Sequence, residues 1–260
     1  MTNRANWTRP LLALLGGVLV LFIVGPILRL LLMATPASLG QALADPEVRQ
    51  SIALTVFSAT AATLIGLGLG LPVAYLLARR NFPGARLLQG IVELPVVIPH
   101  PVAGIALLLF LGRRSVVGGA LGRLGLEFVG HVPGIIAAML FVSVPIAVSA
   151  AREAFAGVDP RLERVARSLG DGPWRAFRRV TLPIAGRGIL AGALLAWARS
   201  VSEFGSIVIV TYNPKVASVL IYDRFTVDGL GGAAPIAVLL LLLALGAFGL
   251  IRALQTSRAR

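Results

Sequence analysis

Asp159-Pro-Arg-Leu-Glu-Arg-Val-Ala-Arg-Ser-Leu-Gly-Asp-Gly-Pro-Trp-Arg-Ala-Phe-Arg-Arg-Val-Thr-Leu-Pro183 forms most of the longest hydrophilic stretch of this 260-residue chain, and apolar runs flank it on both sides. Within it, Leu162, Val165, Ala166 and Leu169 recur at helical spacing, so one face is apolar. Gly170-Asp171-Gly172 breaks that helix. Asp171 or Gly172 caps a second one, with Pro173 in its first turn. Trp174, Phe177 and Val180 make a new apolar stripe, and Pro183 is expected to end the helix. The result is two short amphipathic helices joined at a glycine bend and studded with arginine. Such an elbow is either a loop lying on a membrane surface or a docking element for another subunit. Periodicity does not choose between them.

The flanking runs settle the class. The chain is 57% hydrophobic and 13% charged, with a mean hydropathy of +0.88. Soluble domains carry about 25% charged residues. A helix needs roughly 20 apolar residues to cross a bilayer, and six runs qualify, at about 10–33, 52–78, 89–111, 132–151, 184–211 and 233–254. The first is too long, and lacks a clear small-residue cleavage site, to be a secretory signal. The expectation is an all-α membrane protein of six transmembrane helices, with residues 1–9 as a cytoplasmic N-terminus and 159–183 as a cytoplasmic loop.

Charge orients the bundle. The formal net charge is +13, from 24 Lys+Arg against 11 Asp+Glu. With both termini inside, sixteen basic residues fall on the cytoplasmic side and six outside, as the positive-inside rule requires. The loop with Arg113, Arg114 and Arg123 is the exception, being basic yet external. Charge spread over loops on one side, with no aromatic stacking platform, argues against nucleic acid. There is no cysteine, hence no disulfide or thiolate chemistry. A phosphate-cradling Gly-x-x-x-x-Gly-Lys-Ser/Thr loop is absent, and the single lysine, Lys215, sits in Asn213-Pro-Lys. The chain is expected not to be an enzyme or hydrolyse ATP.

Ionisable groups at membrane depth are costly. Glu93 lies near the start of the third run, where Pro95, Pro99 and Pro101 deny backbone donors and predict a kinked or unwound span with His100 in the break. Uncovered backbone is tolerable only against protein or a water-filled path. Arg199 and Glu203 are four apart on the fifth run and so share a face. One reading lines a substrate path with Glu93, Pro99, His100, Ser202, Glu203 and Ser206. The other makes Arg199–Glu203 a structural ion pair and Glu93 a cap or a cytoplasm-facing group. Gly66-x-x-x-Gly70 and Gly188-x-x-x-Gly192 permit close helix contact. Segment 212–232 reads as an external loop.

The 159–183 stretch resembles the cytoplasmic signature of ABC importer permeases: a glutamate and two alanines, a glycine a few residues on, and an Ile-x-Leu-Pro ending. Ala166, Leu169, Gly170, Trp174, Phe177 and Val180-Thr-Leu182-Pro183 fit it. Arg164 stands where the glutamate usually is, Val165 replaces the first alanine, and Glu163 lies one residue early. Glu93-Leu-Pro-Val-Val-Ile-Pro-His-Pro-Val-Ala-Gly104, Ser202-Glu-Phe-Gly205 and Tyr222-Asp-Arg-Phe225 are similar to segments of the molybdate, tungstate and sulfate permeases, most of all the molybdate/tungstate branch.

The resemblance spans about 50–255 and implies a type I ABC importer permease core. It implies a homodimer of permeases in the plasma (inner) membrane, two ATP-binding subunits and an extracytoplasmic oxyanion-binding protein. ATP and magnesium would sit on the partner subunit, with no cofactor on this chain. Glu163, Ala166, Leu169, Gly170, Trp174, Phe177, Leu182 and Pro183 would dock the ATPase. A sulfate/thiosulfate permease is the near alternative. An ion-coupled secondary carrier would want inverted repeats and coupled mid-membrane carboxylates. An intramembrane enzyme would want a histidine or His/Ser/Asp cluster, whereas His100 and His131 are far apart.

Overall fold

The computed structural model describes residues 8–80 and 82–256, with side chains over 9–80 and 82–249. The expected cytoplasmic charges at Arg4, Arg258 and Arg260 lie outside the described residues, as does most of the segment 1–9. The regular structure described is entirely helical. The long helices are α1 (Thr8–Met33), α3 (Pro46–Arg79), α7 (Val132–Ala156), α10 (Leu182–Val201) and α12 (Ala217–Thr256). Between them lie α2 (Pro36–Ala44), α4 (Ala85–Val97), α5 (His100–Leu111), α6 (Val116–Arg123), α8 (Pro160–Ser168), α9 (Pro173–Ala176) and α11 (Ile207–Val210). Among the described residues, five helices are long and apolar enough to cross a membrane, or six if the bent pair α4–α5 is one span.

Helix α7 is the hub, with α3 packed on one side and α10 on another. Small residues explain how they meet. A Cβ on Gly70 of α3 would lie 2.7 Å from a methyl of Val148 on α7. On α10, Cβ atoms at Gly188 and Gly192 would come within 2.6 and 2.3 Å of the Ala154 and Ala150 side chains. Both glycine pairs are therefore spent inside the chain, against α7. Lipid tails are as apolar as leucine, so close van der Waals packing must hold such helices together. The core divides into a cluster around Ile135, Met139, Ile207 and Val210 and one around Phe155, Val148, Ala74 and Ala185. Helix α1 is different: it touches α12, and none of its described side chains is buried. A helix apolar all round and unburied by its own chain needs lipid or another polypeptide.

Helix α3 begins at the N-cap Asp45, whose carboxylate accepts the Glu47 N–H at 2.8 Å, with Pro46 at its first position. At thirty-four residues and 1.5 Å rise it is about 51 Å long. That exceeds the roughly 30 Å hydrocarbon core, so its end at Arg79 reaches the level of the elbow formed by α8 and α9.

The third run is broken as expected: α4 and α5 meet at Ile98-Pro99 with a bend of 114°, because Pro99 and Pro101 offer no N–H to continue the ladder. Three other expectations about the spans are corrected. The fifth does not reach residue 211 but stops at Val201, since the Glu203 carboxylate captures the Ser206 N–H at 2.8 Å. Pro183 does not end a helix. Pro173–Val201 is continuous, and a π-helical turn over Phe177–Thr181 lets the Leu182 N–H reach the Phe177 carbonyl. That wider turn absorbs the ring clash Pro183 would otherwise impose. Segment 212–232 is mostly helical, since α12 starts at Ala217 and is interrupted only at Gly229, with φ 67°. Its charges are satisfied locally. Arg224 bonds Asp45 and Glu47, both at 2.9 Å, and Lys215 bonds Asp223 at 2.6 Å and Glu47 at 3.2 Å.

Candidate functional site

The elbow is built by strong local signals. Asp159 caps α8, accepting the Arg161 N–H at 2.8 Å. The helix closes when the Gly170 N–H bonds the Arg167 carbonyl and the Asp171 N–H bonds the Ala166 carbonyl, each at 3.1 Å. This left-handed ending puts Gly170 at φ 97°, a conformation glycine adopts without steric cost. Gly172 then caps α9, with Pro173 at its first position.

Its residues divide into two faces. Ala166 and Ala176 are buried, and the Phe177 ring packs edge-on to Tyr75 of α3, centroids 4.9 Å apart, and 5.9 Å from Phe155 of α7. Leu162, Val165 and Leu169 point away, Leu169 being 83% exposed, while Trp174, 69% exposed, stacks on Phe177 at the edge of a cavity against α3. Of the residues the sequence singled out for docking, Leu169, Gly170, Trp174 and Pro183 are thus at the surface and Leu182 is half-buried, while Ala166 and Phe177 attach the elbow to the bundle. The exposed apolar ridge is carried on a scaffold fixed from behind.

Glu163 belongs to that scaffold. Its carboxylate pairs with Arg79 of α3 at 3.0 Å and accepts the Tyr75 hydroxyl at 2.9 Å and the Thr181 hydroxyl. Arg79 also donates to the Val158 carbonyl at 2.8 Å. Burial works to raise the Glu163 carboxyl, but the bonds from Thr181 and Tyr75 and the Arg79 charge outweigh it and hold it below the usual carboxylate range. One carboxylate therefore joins α8, the π-turn leading into α10, and the end of α3. Sequence reasoning missed Tyr75, Arg79 and Thr181. The available signal was the Arg79-Arg80 pair ending an apolar run, set against the one glutamate of a mostly basic elbow.

The residues expected to line a path separate into two groups. Glu93 accepts from the Gln89 amide at 2.9 Å, and Gln89 in turn accepts from Arg152 of α7 at 3.0 Å. The other group forms a cluster where α5 begins and α10 ends. Arg199 reaches Glu203 at 2.9 Å and the Nε2 of His100 at 2.8 Å. Guanidinium can only donate, so the imidazole nitrogen it engages accepts. Ser206 gives both its N–H and its hydroxyl to Glu203, each at 2.8 Å. Glu203 is 1% exposed, and both its oxygens have partners. Ser206 is buried against it. His100, Pro99 and Ser202 remain exposed. Gly205 admits the His100 side chain, since a Cβ there would lie 2.7 Å from it. The cluster thus pins the break between α4 and α5 to the end of α10.

Residues 66–260 match the family described as "Binding-protein-dependent transport system inner membrane component". The chain belongs to this family. It is a multi-span transport permease, not an enzyme. It is 42% identical over 251 residues to a molybdate/tungstate transport system permease protein of Thermococcus kodakarensis, covering 96% of each chain. It is 38% identical over 212 residues to a molybdenum transport system permease protein of Escherichia coli K12, covering 78% of this permease and 91% of that one. The fold matches a bacterial alginate ABC transporter crystallised with an alginate pentasaccharide-bound periplasmic protein. There the TM-score is 0.74 at 19% identity, covering 96% of each chain.

Proposed function

We propose that this permease carries molybdate or tungstate inward, as one of two identical copies, through alternating access driven by two separate ATP-binding subunits. Both termini and the elbow face the cytoplasm in this reading, and an extracytoplasmic oxyanion-binding protein delivers the cargo to the opposite end. ATP and magnesium belong to the partner subunits, and no cofactor sits on this chain. The observation that carries the reading is the exposed Leu162, Val165 and Leu169 ridge on an elbow clamped to α3 by Glu163. Apolar side chains held out on a rigid bend are a shape that a groove in a partner can grip.

A push on the elbow has two routes into the bundle. One runs through Glu163 and Arg79 into α3. The other runs along the unbroken helix from Pro173 to Val201. At the far end of that helix, Arg199 holds His100 at the α4–α5 break. Moving the elbow as a rigid body would displace the break and open one side as the other closes. Exposed His100 and Ser202, already bonded to Arg199, offer the passing dianion only weak contacts, as easy exit requires. The 42% identity to a molybdate/tungstate permease supports these cargoes; sulfate has the same shape and charge, and a probable sulfate permease is 36% identical over 232 residues.

The test is reconstitution of the permease with its ATP-binding subunits and binding protein in liposomes. ATP-dependent uptake of labelled molybdate, with little uptake of sulfate, is expected. Uptake by the permease alone, or uptake driven by a proton gradient without ATP, would overturn the reading.

A further inference from the structure

We propose that the cavity between the elbow and α3 is a binding site for an anionic phospholipid. The cavity measures about 980 Å³ and its wall has two chemistries. Along α3 it is apolar, formed by Gly68, Leu71, Pro72 and Leu76, and at the elbow end it is ringed by Arg79, Arg80, Arg164 and Arg167. Glu163 also faces it, but Arg79, Tyr75 and Thr181 already engage that carboxylate. Asp171, beside Arg164 and Arg167 in an adjoining hollow, is held by Arg175 at 3.7 Å and Arg179 at 3.5 Å. Arg80, Arg164 and Arg167 have no carboxylate partner among the described residues. The Arg79 side chain is only 10% exposed, yet its Nε–H has no hydrogen-bond acceptor. That nitrogen is itself buried, so the exposed cations facing the cavity are Arg80, Arg164 and Arg167.

The dimensions choose the occupant. From Gly68 to Arg79 the helix rises about 16 Å at 1.5 Å per residue. That is about half of the roughly 30 Å hydrocarbon core, the depth of one leaflet. A phosphate among the arginines would therefore place an acyl chain along the apolar wall. A free inorganic anion has no use for that trench, and an apolar peptide would leave the arginines uncompensated. Trp174 and Phe177, stacked with centroids 5.5 Å apart, line the cavity at the headgroup level, where aromatic rings favour the membrane interface. Basic pockets between membrane helices on the cytoplasmic side suit anionic headgroups.

Trp174 reports on the site directly. The full chain carrying Trp7→Phe and Trp197→Phe is placed in vesicles containing brominated phosphatidylglycerol or brominated phosphatidylcholine. Each arginine near an anionic headgroup is worth about a fivefold preference, so quenching of Trp174 should favour phosphatidylglycerol by more than about tenfold. Arg164→Gln with Arg167→Gln leaves Arg80 as the unpaired cation and should cut the preference to about fivefold or less. Arg161→Gln with Arg178→Gln, outside the cavity, should leave the preference in place. Equal quenching by both lipids in the parent chain, or an unchanged preference in the Arg164/Arg167 variant, overturns the proposal. So does displacement of the brominated phosphatidylglycerol by millimolar inorganic phosphate or molybdate, which would mark a free-anion site. None of these readouts requires an ATP-binding subunit, so they stand or fall apart from the transport function.

Discussion

The Glu163 carboxylate lies 3.0 Å from the Arg79 guanidinium, joining the elbow to the end of the longest uninterrupted helix in the bundle. Both side chains are largely buried. Removing one partner of a buried pair leaves the other charge uncompensated, which costs on the order of 3 kcal/mol. Glu163→Ala should therefore lower the thermal stability of the purified permease in detergent, and Arg79→Ala should do the same.

The same pair sets a pH dependence. The folded-state value of Glu163 is held below its ordinary one, so its contribution is complete above the unfolded value of about 4.3. It is lost as the pH falls through the lower folded-state value. Unfolding followed against pH should show stability declining only in acid, below the usual carboxylate range. Glu163→Gln should remove that portion of the decline.

The outer ridge separates docking from folding. Val165 and Leu169 are exposed, so Val165→Asp with Leu169→Asp should change stability by no more than about 0.5 kcal/mol. Co-purification with the ATP-binding subunit should nevertheless fail. Retention of the subunit at wild-type levels would remove the ridge from the interface.

Arg199 and Glu203 should behave as a structural pair. Arg199→Leu alone leaves Glu203, 1% exposed, without its cation and should cost about 3–5 kcal/mol. Adding Glu203→Leu should recover part of that loss, so a double-mutant cycle gives a coupling of about 1 kcal/mol or more. Glu203→Gln keeps an acceptor for Ser206, and ATP-driven uptake should persist in it. A proton-coupled carrier would lose transport in that variant.

Close packing on α7 makes a sharp contrast within one helix. At Gly192 an added methyl would meet the Ala150 side chain at 2.3 Å, whereas at Gly186 nothing lies within 4 Å. Gly192→Ala should destabilise by about 1–3 kcal/mol. Gly186→Ala should be neutral or stabilise by up to about 1 kcal/mol. Thermal unfolding of the two variants compares them directly.

Features written in neighbouring residues were legible before the structure. Gly170 and Gly172-Pro173 announce a helix end and a helix start because each backbone position admits few residue types. The prolines around His100 announce a broken helix because they remove donors. The Glu163–Arg79 tie was not legible, because it joins elements far apart in the chain and its geometry depends on where α3 ends. A glutamate one residue early in the signature still reaches Arg79, Tyr75 and Thr181. The early start of α12 was hidden for a different reason. Asp223, Arg224 and Asp228 depress its hydropathy and Gly229 to Gly232 look like breakers, yet the ion pairs of Arg224 to Asp45 and Glu47 make that polar segment stable as helix. Likewise, the glycine pairs signalled close packing but could not say that α7 was the partner.

The central claim is that force applied at the elbow must reach α3 through Glu163 for transport. The most direct measurement is the number of molybdate ions taken up per ATP hydrolysed by the complete complex in proteoliposomes, compared between wild type and Glu163→Gln. The account predicts that the variant keeps its ATP-binding subunits and continues to hydrolyse ATP while moving far less molybdate per turnover. An unchanged ratio, with the subunits bound, would contradict it.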